Sequence, residues 1–325
     1  MKSLHKKFGV LVVAAAMAAG VSGNAQAGVL GQSVLEITNF RFLNATTSVP
    51  LTVNDFSFLQ FADSSTITAN LNGVIASNSV NSSSFGTLDN PQQCVGNCGS
   101  FPQNDYSHRL APSTVNVARG DSLLQGAPII SGGTFPADAH VVAEGQLTSV
   151  LGNGNIEANL ALTASFQFRL ASTQNITVAM DSNSHLIAAV DLGSRGTARA
   201  TESWTLDVVD AVGNTVFHWA PDGVVGTGII GGTETADGCN LQVSRGAQLP
   251  GQTAVYDCST LTGPPLSGHH SATTGTLLAG QTYTLNLTHA DHVDVTRVPE
   301  PGTLLLLGIG LAGLGFGVRR GKRAA

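Results

Sequence analysis

The sequence predicts an all-β protein: an antiparallel β-sandwich or jelly-roll-like body, an N-terminal signal peptide and a single C-terminal hydrophobic helix. Three observations predict it. Apolar and polar residues alternate at period two along much of residues 28–297. Clusters of Gly, Asn, Asp and Ser punctuate these runs at short intervals, as turns between strands do. Outside the two ends, no long window carries an apolar stripe at helical spacing.

The N-terminus begins with Lys2, Lys6 and Lys7, followed by an apolar run from Phe8 to Gly20. Small residues then end in Ala25-Gln26-Ala27, an A-x-A cleavage pattern. The run is too short to span a bilayer as a helix. Residues 1–27 are therefore expected to be a Sec signal peptide cut by signal peptidase after Ala27, so that the mature chain starts at Gly28.

Within the body, Ser33–Phe42, Phe56–Phe61 and Ser65–Ile75 read as strands, alternation being clearest in the second half of the first. His140–Leu151 and Asn155–Ala171 flank Gly152-Asn153-Gly154 and are expected to pair as a long hairpin. Asn175–Met180 and His185–Leu192 flank Asp181-Ser182-Asn183-Ser184, read as a second hairpin turn. Trp204–Val209 and Thr215–Trp219 flank Ala211-Val212-Gly213-Asn214, a third, and Gln281–Val295 is the last strand. Residues Asn78–Ser113 and Gly231–Thr276, rich in Gly, Ser, Asn and Pro, are expected to be long surface loops.

Charge narrows the function classes. The chain has 15 Lys and Arg against 21 Asp and Glu. Setting aside the three leader lysines and the four bases of the tail leaves eight cations in the body, all Arg, against 20 acids once Glu300 is removed. A body with net charge −12 and no lysine is a poor partner for nucleic acid or anionic lipid.

The four cysteines fall into two local pairs, Cys94 with Cys98 and Cys239 with Cys258. An even count in an exported chain reads as disulfides, and of the three connectivities the two local bridges are favoured. Zinc-ribbon or finger spacing is absent. His269, His270, His289, Asp291, His292 and Asp294 form the densest group of ligand-type residues. On a strand their side chains alternate, so His289 and Asp291 share a face with Tyr283, Leu285, Leu287 and Val293, while His292 and Asp294 share the other. The group is expected to be solvated, and neither a metal nor a cofactor is expected. Asp181 with Asn183, Asp222-Gly223 and Asp237-Gly238 leave calcium open but lack the complete EF-hand loop, and they read as turns. No G-x-S-x-G elbow is present. Glu202, Asp207 and Asp210 are the nearest group of acids, and Trp204, Trp219 and Tyr256 are candidates either for core or for stacking on sugars.

The tail is the most specific segment. Val298-Pro299-Glu300-Pro301-Gly302 precedes an apolar run, 303–318, and Arg319, Arg320, Lys322 and Arg323 close the chain. Pro299 and Pro301 stop a helix from running back into the body. The run is about 24 Å long as a helix against a hydrocarbon core of roughly 30 Å. It contains Gly308, Gly310, Gly313, Gly315 and Gly317, so it suits temporary residence in a membrane. The match to G-x-G-x-x-G at Gly308–Gly313 lies inside this run with no strand before it, and carries no dinucleotide site.

Residues 298–325 resemble the PEP-CTERM sorting domain of Gram-negative bacteria: a Pro-Glu-Pro motif, a transmembrane helix and a basic tail in that order. The resemblance implies an exosortase as processing partner, cutting at or near Pro299-Glu300-Pro301. It also implies association with extracellular polysaccharide and biofilm. The expected protein is exported by Sec, held briefly in the inner membrane, then moved to the cell surface or matrix, with no enzymatic activity. The alternatives are a carbohydrate-binding adhesion module and a secreted glycan-active hydrolase.

Overall fold

The computed structural model describes residues 28–84, 86–131, 134–148, 154–258 and 268–298. In chain order its strands are β1 (Gly28–Asn44), β2 (Phe56–Leu71), β3 (Val74–Ser82), β4 (Leu88–Gly96), β5 (Val117–Gln125), β6 (Ala137–Thr148), β7 (Gly154–Leu170) and β8 (Ile176–Val190). There follow β9 (Arg195–Asp210), β10 (Thr215–Trp219), β11 (Ile229–Ile230), β12 (Gly232–Asp237), β13 (Gln242–Ala247), β14 (Gln252–Asp257), β15 (His269–Thr274) and β16 (Thr282–Val298). The described residues contain two short 3-10 turns and no longer helix.

These strands form two antiparallel sheets. The first has the order β12-β15-β8-β1-β6-β5-β4, and the second β11-β10-β9-β16-β7-β2-β3. Long strands carry two short partners along one edge. Residues 177–181 of β8 pair with β15 and residues 185–190 with β14. Likewise β9 pairs with β10 at residues 206–209 and with β13 at 198–203.

The sheets pack face to face, and the filling changes along the strands. At one end large side chains from both sheets meet: Phe42 lies 5.3 Å from Phe166, and Phe40 is T-shaped to Trp204 at 6.5 Å. At the other end the inward positions are mostly Ala, Val and Gly, among them Ala143, Ala158, Ala188, Ala200 and Val293. A Cβ on Gly31 would meet Val293 Cγ1 at 2.7 Å, and one on Gly145 would meet Ile156 Cγ2 at 2.6 Å. Close approach of the sheets there requires the missing side chains.

Strand β1 shows why alternation looks broken in its middle. Ser33, Leu35 and Ile37 face the second sheet, and then a bulge at Thr38-Asn39, with Asn39 at φ 56, shifts the register against both neighbours. After it the inward positions are Phe40 and Phe42. One inserted residue exchanges the faces of the strand.

Several sequence expectations are corrected. β6 and β7 do not form a hairpin: β6 pairs with β1 and β5 in the first sheet, and β7 with β2 and β16 in the second. Period two identifies a strand's buried face but not its partner. Asp181–Ser184 is no turn but the middle of β8, where each of its side chains is bonded to a neighbouring strand or to the other sheet. Strand Ser65–Ile75 is instead cut by a turn at Asn72-Gly73, whose φ values of 53° and 84° suit the Asn-Gly pair, and the chain returns as β3. The supposed loop Asn78–Ser113 contains β4, and Gly231–Thr276 contains β12, β13, β14 and β15. The third hairpin, β9 to β10 around Gly213, forms as expected.

Candidate functional site

β16 is a central strand, flanked by β7 and β9 as far as Arg297, and Val298 still pairs with Arg195. The body is therefore hydrogen-bonded into its sheet up to the residue before Pro299. Pro299, Glu300, Pro301, the apolar run 303–318 and Arg319, Arg320, Lys322 and Arg323 lie outside the described residues, as do Ala25 and Ala27 of the leader. Among the described residues, no helix is long and apolar enough to cross a membrane.

The cysteines pair as Cys94–Cys98 and Cys239–Cys258, each with Cα atoms 5.9 Å apart. The first closes the link between β4 and a 3-10 turn. The second ties the chain before β13 to the end of β14.

Between the aromatic and the small-residue ends runs a belt of inward polar side chains, which is not the solvated group expected of His289 and Asp291. Both are buried, as is Glu202 on the neighbouring strand. Ser33 Oγ donates to Asp291 Oδ1 at 2.8 Å, and Ser184 Oγ donates to Glu202 Oε2 at 3.0 Å, so each link crosses from one sheet to the other. Ser65 and Ser122 bridge the sheets again at 2.6 Å. His289 Nε2 stands 3.2 Å from Asp291 Oδ1 but without hydrogen-bond geometry. Burial first, and then the charge of Asp291, push the Glu202 carboxyl well above its usual range. Burial also raises Asp63 to about 6. A cavity of about 60 Å³, lined by Leu35, Trp204 and Leu287 with Asp63 and His289, has room for a few waters. Glu202 and Asp291 are thus neighbouring acids closed between sheets rather than facing a groove that a glycan chain enters.

The remaining ligand-type residues are divided. His270 is buried, with Ser182 Oγ at 2.8 Å from its Nε2 and Asp237 Oδ1 at 3.2 Å from its Nδ1. His269 pairs with Asp181 at 2.9 Å on a half-exposed edge, and His292 and Asp294 are on the outer face. Asp237 Oδ2 accepts the amides of Asp222, Gly223 and Val224, which makes it a clamp on a turn. Trp204 and Trp219 are fully buried, and the Trp219 indole donates to Glu234. They are core residues, and offer no face to a sugar.

A second polar assembly, invisible in the sequence, covers the outer face of the first sheet. Segment 97–116 crosses β1, β6 and β5. There Gln32 Nε2 donates to the Ser107 carbonyl at 3.0 Å and the Arg109 amide donates to Gln32 Oε1 at 2.7 Å. Beneath it Arg119, fully buried, makes two bonds to Glu144 Oε2 at 3.0 and 2.9 Å. Phe101 is packed against the Arg109 and Arg119 guanidinium groups, at 5.0 and 4.8 Å. Outward-facing Gln32, Glu144 and Gln146 alternate correctly for strands, so nothing in the sequence marks them as buried.

Residues 297–322 match the PEP-CTERM protein-sorting motif, which implies export and sorting to the cell surface with exosortase processing. No curated protein matches the chain. Among solved structures, a chain in the structure of infectious bursal disease virus Gx strain aligns at 12% identity over 87% of this chain and 69% of that one. Its TM-score of 0.08 carries no argument about fold or function.

Proposed function

We propose that this is a Sec-exported, non-enzymatic surface or matrix protein of a Gram-negative bacterium. The leader ends at Ala27, the body folds outside the cytoplasm, and the C-terminal helix holds it at the inner membrane. An exosortase then cuts at Pro299-Glu300-Pro301, and the body joins the cell surface or the extracellular polysaccharide. The observation that carries this reading is the sorting-motif match at residues 297–322. Its support is the fold itself, in which β16 is paired as far as Val298, so that cutting after it leaves every strand among the described residues in place. The acidic, lysine-free body and two disulfides suit an oxidising extracellular setting.

The test is to replace Pro299, Glu300 and Pro301 with alanine in the native host and to fractionate the cells. The expected result is loss of the processed form, with full-length protein accumulating in the inner-membrane fraction. Normal processing and release would overturn the reading.

A further inference from the structure

We infer that His108, His185 and Asp257 form a binding site for a divalent first-row transition metal, Zn²⁺ being the fitting probe, which pins segment 97–116 to the first sheet. The three residues come from different parts of the chain: His108 from the covering segment, His185 from β8, and Asp257 from the end of β14, where it is the register partner of His185. One potential ligand atom from each lies within 4.8 Å of the other two. The imidazoles of His108 and His185 are stacked, centroids 4.3 Å apart and planes within 10°.

The proton position on His185 is what points to a cation. Its Nε2 lies 3.1 Å from the carbonyl oxygen of Arg109, and a carbonyl only accepts, so Nε2 carries the hydrogen. In the neutral ring Nδ1 is then a bare lone pair. It is fully buried with no hydrogen-bond partner, and it faces Asp257 Oδ2 at 3.7 Å. A buried imidazole nitrogen with no hydrogen-bond partner is thus aimed at a carboxylate and a second imidazole, a position that suits a ligand atom better than a stranded polar group. A backbone carbonyl holding the far N–H of an imidazole is also the usual orienting contact at metal-bound histidine.

Two imidazoles and one carboxylate suit zinc and its neighbours better than calcium or magnesium, which take oxygen ligands. Ligand atoms around a tetrahedral zinc with bonds of about 2.1 Å stand roughly 3.4 Å apart, so the widest separation in the trio must contract by up to about 1.4 Å. An ion also has to approach both ring planes, which the parallel stack prevents. His108 is half-exposed and sits on irregular backbone, so it is the ring that swings, and the fourth position is left for water.

The experiment uses the exported protein, stripped with chelator and dialysed against Zn²⁺, then against Co²⁺ for its visible spectrum. One ion per chain is expected, with a rise in Tm, a tetrahedral-type cobalt spectrum, and slower proteolysis at Arg109. His108→Ala and Asp257→Asn are each expected to weaken zinc binding roughly tenfold or more. His185 is buried and its replacement disturbs folding, whereas His108 lies on the surface segment, so H108A keeps the test decisive. Absence of zinc binding, as when a proton on Nδ1 fills the gap instead, would overturn the proposal. So would zinc binding that H108A and D257N both leave unchanged.

Discussion

The backbone nitrogen of Gly28 lies 3.0 Å from Asp191 Oδ2, and the Asp191 amide donates back to the Gly28 carbonyl at 2.9 Å. Gly28 is the first residue of β1, already paired with Thr148 and buried. If the leader is cut after Ala27, that nitrogen becomes the α-ammonium and the contact turns into a charge-assisted bond, roughly twice as strong as a neutral one. Asp191→Asn is expected to cost the mature protein about 2 kcal/mol, read as a lower Tm. Mass spectrometry of the exported protein should find Gly28 as its first residue. An N-terminus elsewhere, or no loss in D191N, would remove this role.

Glu202 makes the fold sensitive to alkali. Burial and the nearby Asp291 charge raise its carboxyl above the 4.5 of a free side chain, so the folded protein holds that proton more tightly than the unfolded chain. Its stabilising contribution is therefore complete below about pH 4.5 and drains as pH rises through the folded value. Asp63, raised to about 6 by burial, drains in the same direction between about pH 4 and 6. Glu202→Gln keeps an acceptor for Ser184 and cannot ionise. It is expected to raise Tm by roughly 3–6 °C at pH 8 and to flatten the profile above pH 5. Parallel melting curves for the two proteins would contradict this.

Gly31 tests the close approach of the sheets. Its added Cβ would fall 2.7 Å from Val293 Cγ1 and 3.1 Å from the Arg199 carbonyl oxygen. Gly31→Ala is expected to destabilise by about 1–3 kcal/mol in denaturant titration, although alanine has the better conformational entropy. A more stable G31A would mean that the sheets separate freely at that end.

The two bridges should differ in weight. Cys239 and Cys258 are 19 residues apart and Cys94 and Cys98 only four. The chain-entropy relation then assigns roughly 3 kcal/mol to the first and about 2 kcal/mol to the second. C239S/C258S is expected to lower the denaturation midpoint more than C94S/C98S, and the reverse order would show that local strain or packing outweighs loop closure.

Legibility followed the physics of each signal. Period-two alternation picked out most long strands and the correct inward set on β16, His289 and Asp291 included. It erred on where those two residues sit, because polarity was read as exposure while the inward face of this sandwich carries a polar belt. The same assumption turned Asp181–Ser184 into a turn. The Asn72-Gly73 hairpin carried a plain dipeptide signal, and was missed because alternation appeared to run on to Ile75. The loops assigned to Asn78–Ser113 and Gly231–Thr276 contain strands whose order depends on partners far away, such as β14 on β8 and β13 on β9.

By itself the sequence determined the all-β class, the local cysteine pairs and the sorting tail, since each is written in neighbouring residues: an alternation, a short spacing, a motif with its apolar run and basic end. Only the tertiary structure decided which strands pair, that β6 and β7 lie in opposite sheets, and that His108, His185 and Asp257 meet. Those relationships join residues as much as 161 positions apart, as Val29 and Val190 are. Burial and partnership at such distances are properties of the packed chain, and no local periodicity encodes them.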